Sequence, residues 1–524
     1  PKPTSGALFQ TAGARRPVRP KAAPAATARK APKAAFDPFA DDDAPAAPST
    51  KTPRPGRRPA YRTPATASTR GVPTPRSFDP FAGDDAPPAT ATARPAVPRP
   101  TTIQKPKKKF QIPRTTPKAV AAPAGSVSTG TINLVKSIVG AGVLSLPAGV
   151  GAFADSKAAV LPAAAILTAL GAASAYSFSV LGRVCAAYDV DTYKDAWAKS
   201  VGEKSAWVVT ACCTFTPALA CLSYSIIMGD AFAALIAASS PGPGTMTALN
   251  ALGGARRATI GALAVGALWP LCSLKSLAAL APTSALGTGG VLYTAGFMAK
   301  RCLDGTYAAG GRFAKECGVA TFGDTLGFGS VNLGVYLAMC GTAYMAHFNA
   351  PNFFVDAGKD EKKYATIVRR GFALSVLLNV AVMVAGYLTF GASSQGLVLN
   401  NYAVKDSLAS VARLLFGVST VFTFPLAYAA VKVGVRGVLP KLSEKAVVAA
   451  PLSLITAIAL LLDDVGVVVS LTGALMGSAV IYALPAVMLL KGDKVAKAGW
   501  EKKIAPFAML AMGAVGAVLG VVTL

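Results

Sequence analysis

From residue 128 onward, apolar residues come in runs of about 20, the length that crosses a hydrocarbon core as a helix. Eleven runs stand out, at 128–151, 158–182, 206–238, 258–274, 277–298, 331–355, 365–391, 407–431, 446–462, 465–490 and 504–524. A longer loop, 299–327, separates the first five from the rest, giving a 5+5+1 grouping. The pattern predicts an all-α integral membrane protein of 11 transmembrane helices. In the polar connector 188–205, Tyr193, Trp197 and Val201 share one face of a short amphipathic surface helix. Before the runs, residues 1–126 are mostly Ala, Pro, Thr, Lys and Arg. Such a segment has too little apolar surface to bury and is expected to be disordered. The organisation is therefore a tail, 1–126, and a transmembrane domain, 127–524.

Two runs are interrupted. The first contains Gly140, Gly142 and Pro147, and the sixth contains Gly341, Thr342, Ala343, Tyr344 and, further on, Pro351. Gly is a poor helix former and Pro lacks a backbone donor. Broken backbone is tolerated in a membrane where it is buried in protein or lines a cavity. There it frees amides at one half-helix end and carbonyls at the other. The two runs hold matching places in the two five-span halves, and paired interruptions point to a transporter site near the midplane. The competing explanation is close helix packing through small residues. Lys136 lies one to two turns before the first glycines, at a depth where a lysine costs about 2.5–3.5 kcal/mol. A bundle keeps such a residue when it has a partner or a task.

Composition narrows the class. Of 524 residues, 52% are hydrophobic and 15% charged, well below the charged share of a soluble chain. Net charge is +27, and residues 1–126 supply 23 Lys/Arg against 7 Asp, or +16. A basic segment beside a first span stays cytoplasmic and meets anionic lipid, so nucleic acid is not the expected partner. The cluster from Lys105 to Lys109 is the best placed for headgroups. With the N-terminus inside, inner loops carry 19 Lys/Arg and outer loops 8, which orients the chain N-terminus in, C-terminus out. The polar, Pro-rich first residues do not resemble a cleavable signal peptide, so the first span is expected to direct insertion. Pro1 in place of Met suggests a processed or truncated start. The eight cysteines fit no metal spacing. Cys212 and Cys213, adjacent in an apolar run, are expected to pack. Cys302 and Cys317 share the loop 299–327 and can form a disulfide if it faces an oxidising side. No phosphate loop, metal cluster or nucleophile motif is present, so neither an enzyme nor a cofactor is expected.

The tail carries one repeat. Phe36-Asp37-Pro38-Phe39 returns as Phe78-Asp79-Pro80-Phe81, each followed by further Asp residues. The pair resembles the Asp-Pro-Phe motifs that bind the appendage domains of clathrin adaptors. Pro pre-orders the turn, Phe fills a pocket, and two copies add avidity. Low-complexity duplication without function is the alternative.

Four stretches carry a wider resemblance: 133–147 in span 1, 223–230 in span 3, 343–351 in span 6, and Asp464 with Ser470, Thr472, Gly473 and Ala474 in span 10. In order and spacing, the chain from residue 128 resembles the amino acid/auxin permease family. The resemblance implies an 11-span, 5+5 inverted-repeat fold with broken helices 1 and 6, and amino-acid transport. The carboxylate of an α-amino acid suits amides around Gly140, Ala141 and Gly142. Its ammonium suits carbonyls around Gly341, Thr342 and Ala343, with Tyr344 in the side-chain pocket or as a gate. The family's cation site uses span 1 and a span 8 hydroxyl, here Ser419, Thr420 or Thr423. Lys136 stands where sodium-coupled relatives carry a neutral amide, and the proton-coupled branch also shows Lys. An ammonium there would take the cation's place, which points to proton coupling. His347, the one histidine, would relay a proton or sense lumenal pH, or else serve as a hydrogen-bonded packing element. Asp463 and Asp464 read as a solvated outer cap and Asp230 as structural. The alternatives are a sodium-coupled transporter and a non-transporting amino-acid sensor of the same fold. The compartment is left between plasma membrane and vacuole or lysosome.

Overall fold

The computed structural model describes residues 126–274, 283–497 and 499–523. The two Phe-Asp-Pro-Phe motifs, the Lys105–Lys109 cluster and Lys275 lie outside the described residues. Every regular element among those described is helical. The first apolar run folds as α1 (Val127–Ile138), a 3-10 turn (Ala141–Ser145) and α2 (Leu146–Phe153). Then come α3 (Val160–Tyr188), α4 (Tyr193–Ser200), α5 (Ala206–Ala238), α6 (Pro243–Ala251) and α7 (Ala255–Leu263). A π turn (Ala264–Leu268) leads to α8 (Trp269–Cys272), α9 (Thr283–Leu303) and α10 (Ala314–Cys317). The sixth run divides into α11 (Leu333–Ala343), a 3-10 turn (His347–Asn349) and α12 (Ala350–Asp356). The chain ends with α13 (Glu361–Phe390), α14 (Ser407–Val438), α15 (Glu444–Leu461), α16 (Val465–Thr472), a π segment (Gly473–Ala483), α17 (Leu484–Lys491), α18 (Gly499–Lys503) and α19 (Ala505–Val522).

Seven described helices are long and apolar enough to cross a membrane, or eight when α1 and α2, bent by 49° at their break, count as one span. The eleven apolar runs give fewer such helices because several are divided. The fourth is split by its π turn, and the sixth by Tyr344, Met345 and Ala346. In the connector, Tyr193 and Trp197 of α4 are buried, so its apolar face packs on protein. Cys302 and Cys317 are free, half-buried thiols.

Small residues let the helices approach. A Cβ on Gly473 would fall 1.7 Å from the Ala338 carbonyl oxygen, so only glycine brings the π segment this close to α11. Charged groups tie the bundle ends together. At one end Arg301 pairs with Asp406 at 2.8 Å and Arg256 with Asp230 at 2.6 Å. At the other, Arg183 meets Glu501 at 2.9 Å, and Lys359 bridges to Asp189 at 3.0 Å and to Asp191 at 2.8 Å. Burial works to raise the Asp406 carboxyl, in the loop before α14, but bonds from Arg301 and Tyr307 outweigh it and hold it below the usual carboxylate range.

Candidate functional site

The first break begins where α1 runs out of acceptors. Its last bonds run from Val139 N to Val135 O at 2.8 Å and from Gly140 N to Ile138 O at 3.0 Å. Ala141 and Gly142 then open a new helical turn, and the first amides of a turn have no acceptor within it. The new turn aims free donors at whatever lies beside it.

What lies there, on the Gly140 and Ala141 side, is a cavity of about 400 Å³. Lys136, Gly140 and Ala141 reach it from the first run, Tyr224 from α5, and Ser419, Thr420 and Thr423 from α14. Thr288 of α9 completes the polar lining, and the rest is mostly Val, Leu and Phe. The Thr420 hydroxyl donates to Phe416 O at 2.6 Å and that of Thr423 to Ser419 O at 2.8 Å. With their protons committed to the helix, both oxygens keep lone pairs for a cation. Lys136 is half-buried, and no carboxylate or hydrogen-bond acceptor among the described residues pairs with its ammonium. Gly287 of α9 makes room for it: a Cβ there would lie 3.6 Å from Lys136 Cε and 2.7 Å from Ser419 Oγ.

The second break is arranged differently. A Cβ on Gly142 would lie 2.9 Å from Ala343 N, so the two breaks touch backbone to backbone. The Gly341 and Thr342 carbonyls accept from Tyr344 N at 3.3 Å and Met345 N at 3.2 Å. Asn379 Nδ2 donates to Ala343 O at 3.4 Å, and the Thr342 hydroxyl to Val469 O at 2.6 Å. Tyr344 is fully buried, its ring packed toward Gly171 of α3. His347 is fully buried as well. Its Nε2 lies 2.8 Å from Ser177 Oγ and 3.0 Å from Ser174 O, and its ring meets Phe178 edge-on at 5.2 Å. Of the residues singled out from sequence, Lys136, Gly140, Ala141, Ser419, Thr420 and Thr423 converge on the cavity. Gly142, Gly341, Thr342, Ala343, Tyr344 and His347 do not line it.

A second cavity, about 440 Å³, is lined by Ala148 and Ala152 of α2, Met339 of α11, and polar groups including Asp230, Asn400 and Asp464. Asp230 accepts from Arg256 Nε at 2.6 Å and Asn400 Nδ2 at 3.0 Å. Arg256 also reaches Leu462 O at 2.6 Å and Asp463 at 3.3 Å. Along the first run, the two cavities flank the Gly142–Ala343 contact. Sequence reasoning missed Tyr224, Gly287 and the Arg256 network. Tyr224 stood within the span 3 stretch already noted, whereas Arg256, at the start of α7, has partners that are remote in sequence.

The sequence profile of a family described as transmembrane amino acid transporter protein matches residues 123–524. A Danio rerio protein named "Putative sodium-coupled neutral amino acid transporter 11" is 26% identical over 387 residues, covering 70% of this chain and 79% of its own. The Homo sapiens protein of that name is 25% identical over 63% of this chain and 79% of its own. The Arabidopsis thaliana amino acid transporter AVT6E is 23% identical over 74% of this chain and 81% of its own. Among solved structures, MhsT in complex with L-phenylalanine aligns with a TM-score of 0.47 and 15% identity, over 74% of this chain and 98% of that one.

Proposed function

Because the chain belongs to the transmembrane amino acid transporter family, we propose that it is a proton-coupled secondary transporter of amino acids working by alternating access. Its fold in this reading is the 11-span, 5+5 inverted repeat with broken helices 1 and 6, its N-terminus cytoplasmic. The observation that carries the proposal is the convergence of the first break, an unpaired Lys136 and the α14 hydroxyls on one cavity. The solute carboxylate is held by the amides of Ala141 and Gly142, next to Gly140, at the start of a helical turn. Its ammonium is held by the second break, at Gly341, Thr342 and Ala343, once Gly142 and Ala343 have parted. Their separation is the opening step.

Lys136 supplies the coupling. As an ammonium it sits where a cation would, against the oxygens of Ser419, Thr420 and Thr423. Burial disfavours its charge when no anion is near, so it releases its proton as the site reorganises. The competing assignment is sodium, favoured by the printed names of the relatives. The test is uptake into proteoliposomes across imposed pH and sodium gradients, with K136A and K136N beside the parent. Proton coupling requires that the pH gradient drive uptake by the parent and not by either variant, and that choline replace sodium without loss. Uptake that stops in choline, or keeps its pH dependence in both variants, would overturn it. The same assay on protein lacking residues 1–126 separates transport from amino-acid sensing. The paired tail motifs are proposed to govern traffic between plasma membrane and vacuole or lysosome through adaptor proteins, and losing both would redistribute the protein.

A further inference from the structure

Four residues of the cavity wall are strongly exposed. Ile132 of α1 is 54% accessible, Leu292 of α9 53%, and Leu374 and Leu377 of α13 47% and 65%. In the proposed 11-span fold these helices stand in the bilayer, where large exposed aliphatic side chains face acyl chains. The cavity therefore has an apolar side opening on the bilayer, between α1, α9 and α13, and a polar floor. Lys136 lies nine residues into α1, about 14 Å along a helix from Val127. With Val127 at the membrane surface, that depth lies inside the hydrocarbon layer, where no counter-ion reaches the ammonium from water through that side.

We propose that this cavity binds the monoanion of a long-chain carboxylic acid from the surrounding lipid, with its carboxylate on Lys136 and its chain lying out between α9 and α13. The chemistry favours this occupant over a phospholipid. Among the described residues Lys136 is the one cation in the lining, which matches a single negative charge. A carboxylate also ends its chain, so it can follow that chain through an aliphatic gap. A phosphodiester would carry its glycerol and second chain with it. The Ser419 and Tyr224 hydroxyls can donate to the second carboxylate oxygen, and each methylene outside meets Leu292, Leu374 or Leu377. Occupancy would neutralise Lys136 and fill the cavity, so such an acid would inhibit the proposed transport. Binding does not depend on transport being correct, because it is read without a solute.

The experiment uses L377W in nanodiscs. Leu377 is exposed, so the change leaves the packing intact and sets an indole at the opening. Dibromostearic acid should quench the fluorescence added by L377W saturably, and its methyl ester should give only the linear quenching of lipid partitioning. In the L377W K136Q variant, loss of a charge-assisted contact should weaken the acid about tenfold or more. Equal quenching by acid and ester overturns the proposal without any change at Lys136. So does full affinity in K136Q, and so does saturable, Lys136-dependent quenching by a brominated anionic phospholipid, which would assign the cavity to that lipid instead. Amino-acid uptake by L377W, measured on the same preparation, reports separately on the transporter assignment.

Discussion

The two interruptions look alike in the sequence, yet their surroundings are opposite. Around Gly140 and Ala141 the backbone turns toward an open cavity with an unpaired ammonium and two hydroxyls whose protons are already committed. Around Tyr344 the chain is sealed: its carbonyls are taken by the following turn and by Asn379, and its aromatic and imidazole rings are wedged against α3. A break in a membrane helix is therefore not itself a binding element. It becomes one where neighbouring helices stand back, as they do beside Gly140 and Ala141 and do not around Tyr344. In the proposed cycle the first break engages the solute, and the second holds position until the Gly142–Ala343 contact opens.

The largest effect should come from the contact itself. In G142V the new side chain starts 2.9 Å from Ala343 N and 3.1 Å from the carbonyl carbon of Thr342. Both are backbone atoms and cannot swing aside. Overpacking costs about 1–3 kcal/mol of stability, and the breaks can no longer meet. Uptake in proteoliposomes should be nearly abolished while the protein still reaches the membrane. Near-normal uptake by G142V would mean that closing this contact is no part of the cycle.

A smaller effect is expected at Gly287, on the cavity side. The G287A methyl would press on Ser419 Oγ at 2.7 Å and approach Lys136 Cε at 3.6 Å. Uptake under a pH gradient should fall about fivefold, equivalent to roughly 1 kcal/mol. S419A removes the closer clash together with one oxygen proposed to face the ammonium, so G287A S419A should lose no more uptake than S419A alone. A further loss in the double variant would place the fault in helix packing and not in the ammonium's surroundings.

These expectations mark how far the sequence could be followed. The glycines and the Pro of the first run and the stranded Lys136 were legible because each breaks a strong rule for apolar helices, whereas Ser419, Thr420 and Thr423 were reached only through the family resemblance. The all-helical architecture was legible from run length. Which break faces space was not, because it depends on how α1 and α11 are rotated against their neighbours, and a rotation leaves no trace in a uniformly apolar run. Tyr344 and His347 show the limit. Polar residues in a broken helix advertise chemistry, but the sequence cannot say that Ser174, Ser177 and Phe178, some 170 residues earlier, close around them.

His347 turns that limit into a measurement. If its role is to anchor the second break to α3, H347Q should cost about 1–3 kcal/mol through the buried groups it leaves unpaired. It should lower the thermal transition of the purified protein and leave the pH dependence of uptake unchanged. An altered pH profile at unaltered stability would make His347 part of the proton path and bring the second break closer in kind to the first.

Tyr344 should give the smallest effect, and it tests the comparison most cleanly. Its hydroxyl is buried without a hydrogen bond of good geometry, although the Asn379 side chain lies close by. A buried hydroxyl lacking a firm partner contributes little to stability, so its removal by Y344F should be near neutral. The ring stays, and with it the packing toward Gly171 and Phe372. Uptake and its apparent affinity should therefore remain within about twofold of the parent. A solute-contacting or gating tyrosine would behave otherwise, because losing a hydroxyl that bonds substrate leaves a polar partner stranded and lowers affinity by far more. A large rise in KM for Y344F with unchanged stability would show that the second break opens to the solute during the cycle, and that its sealed state here is one of two that the protein visits.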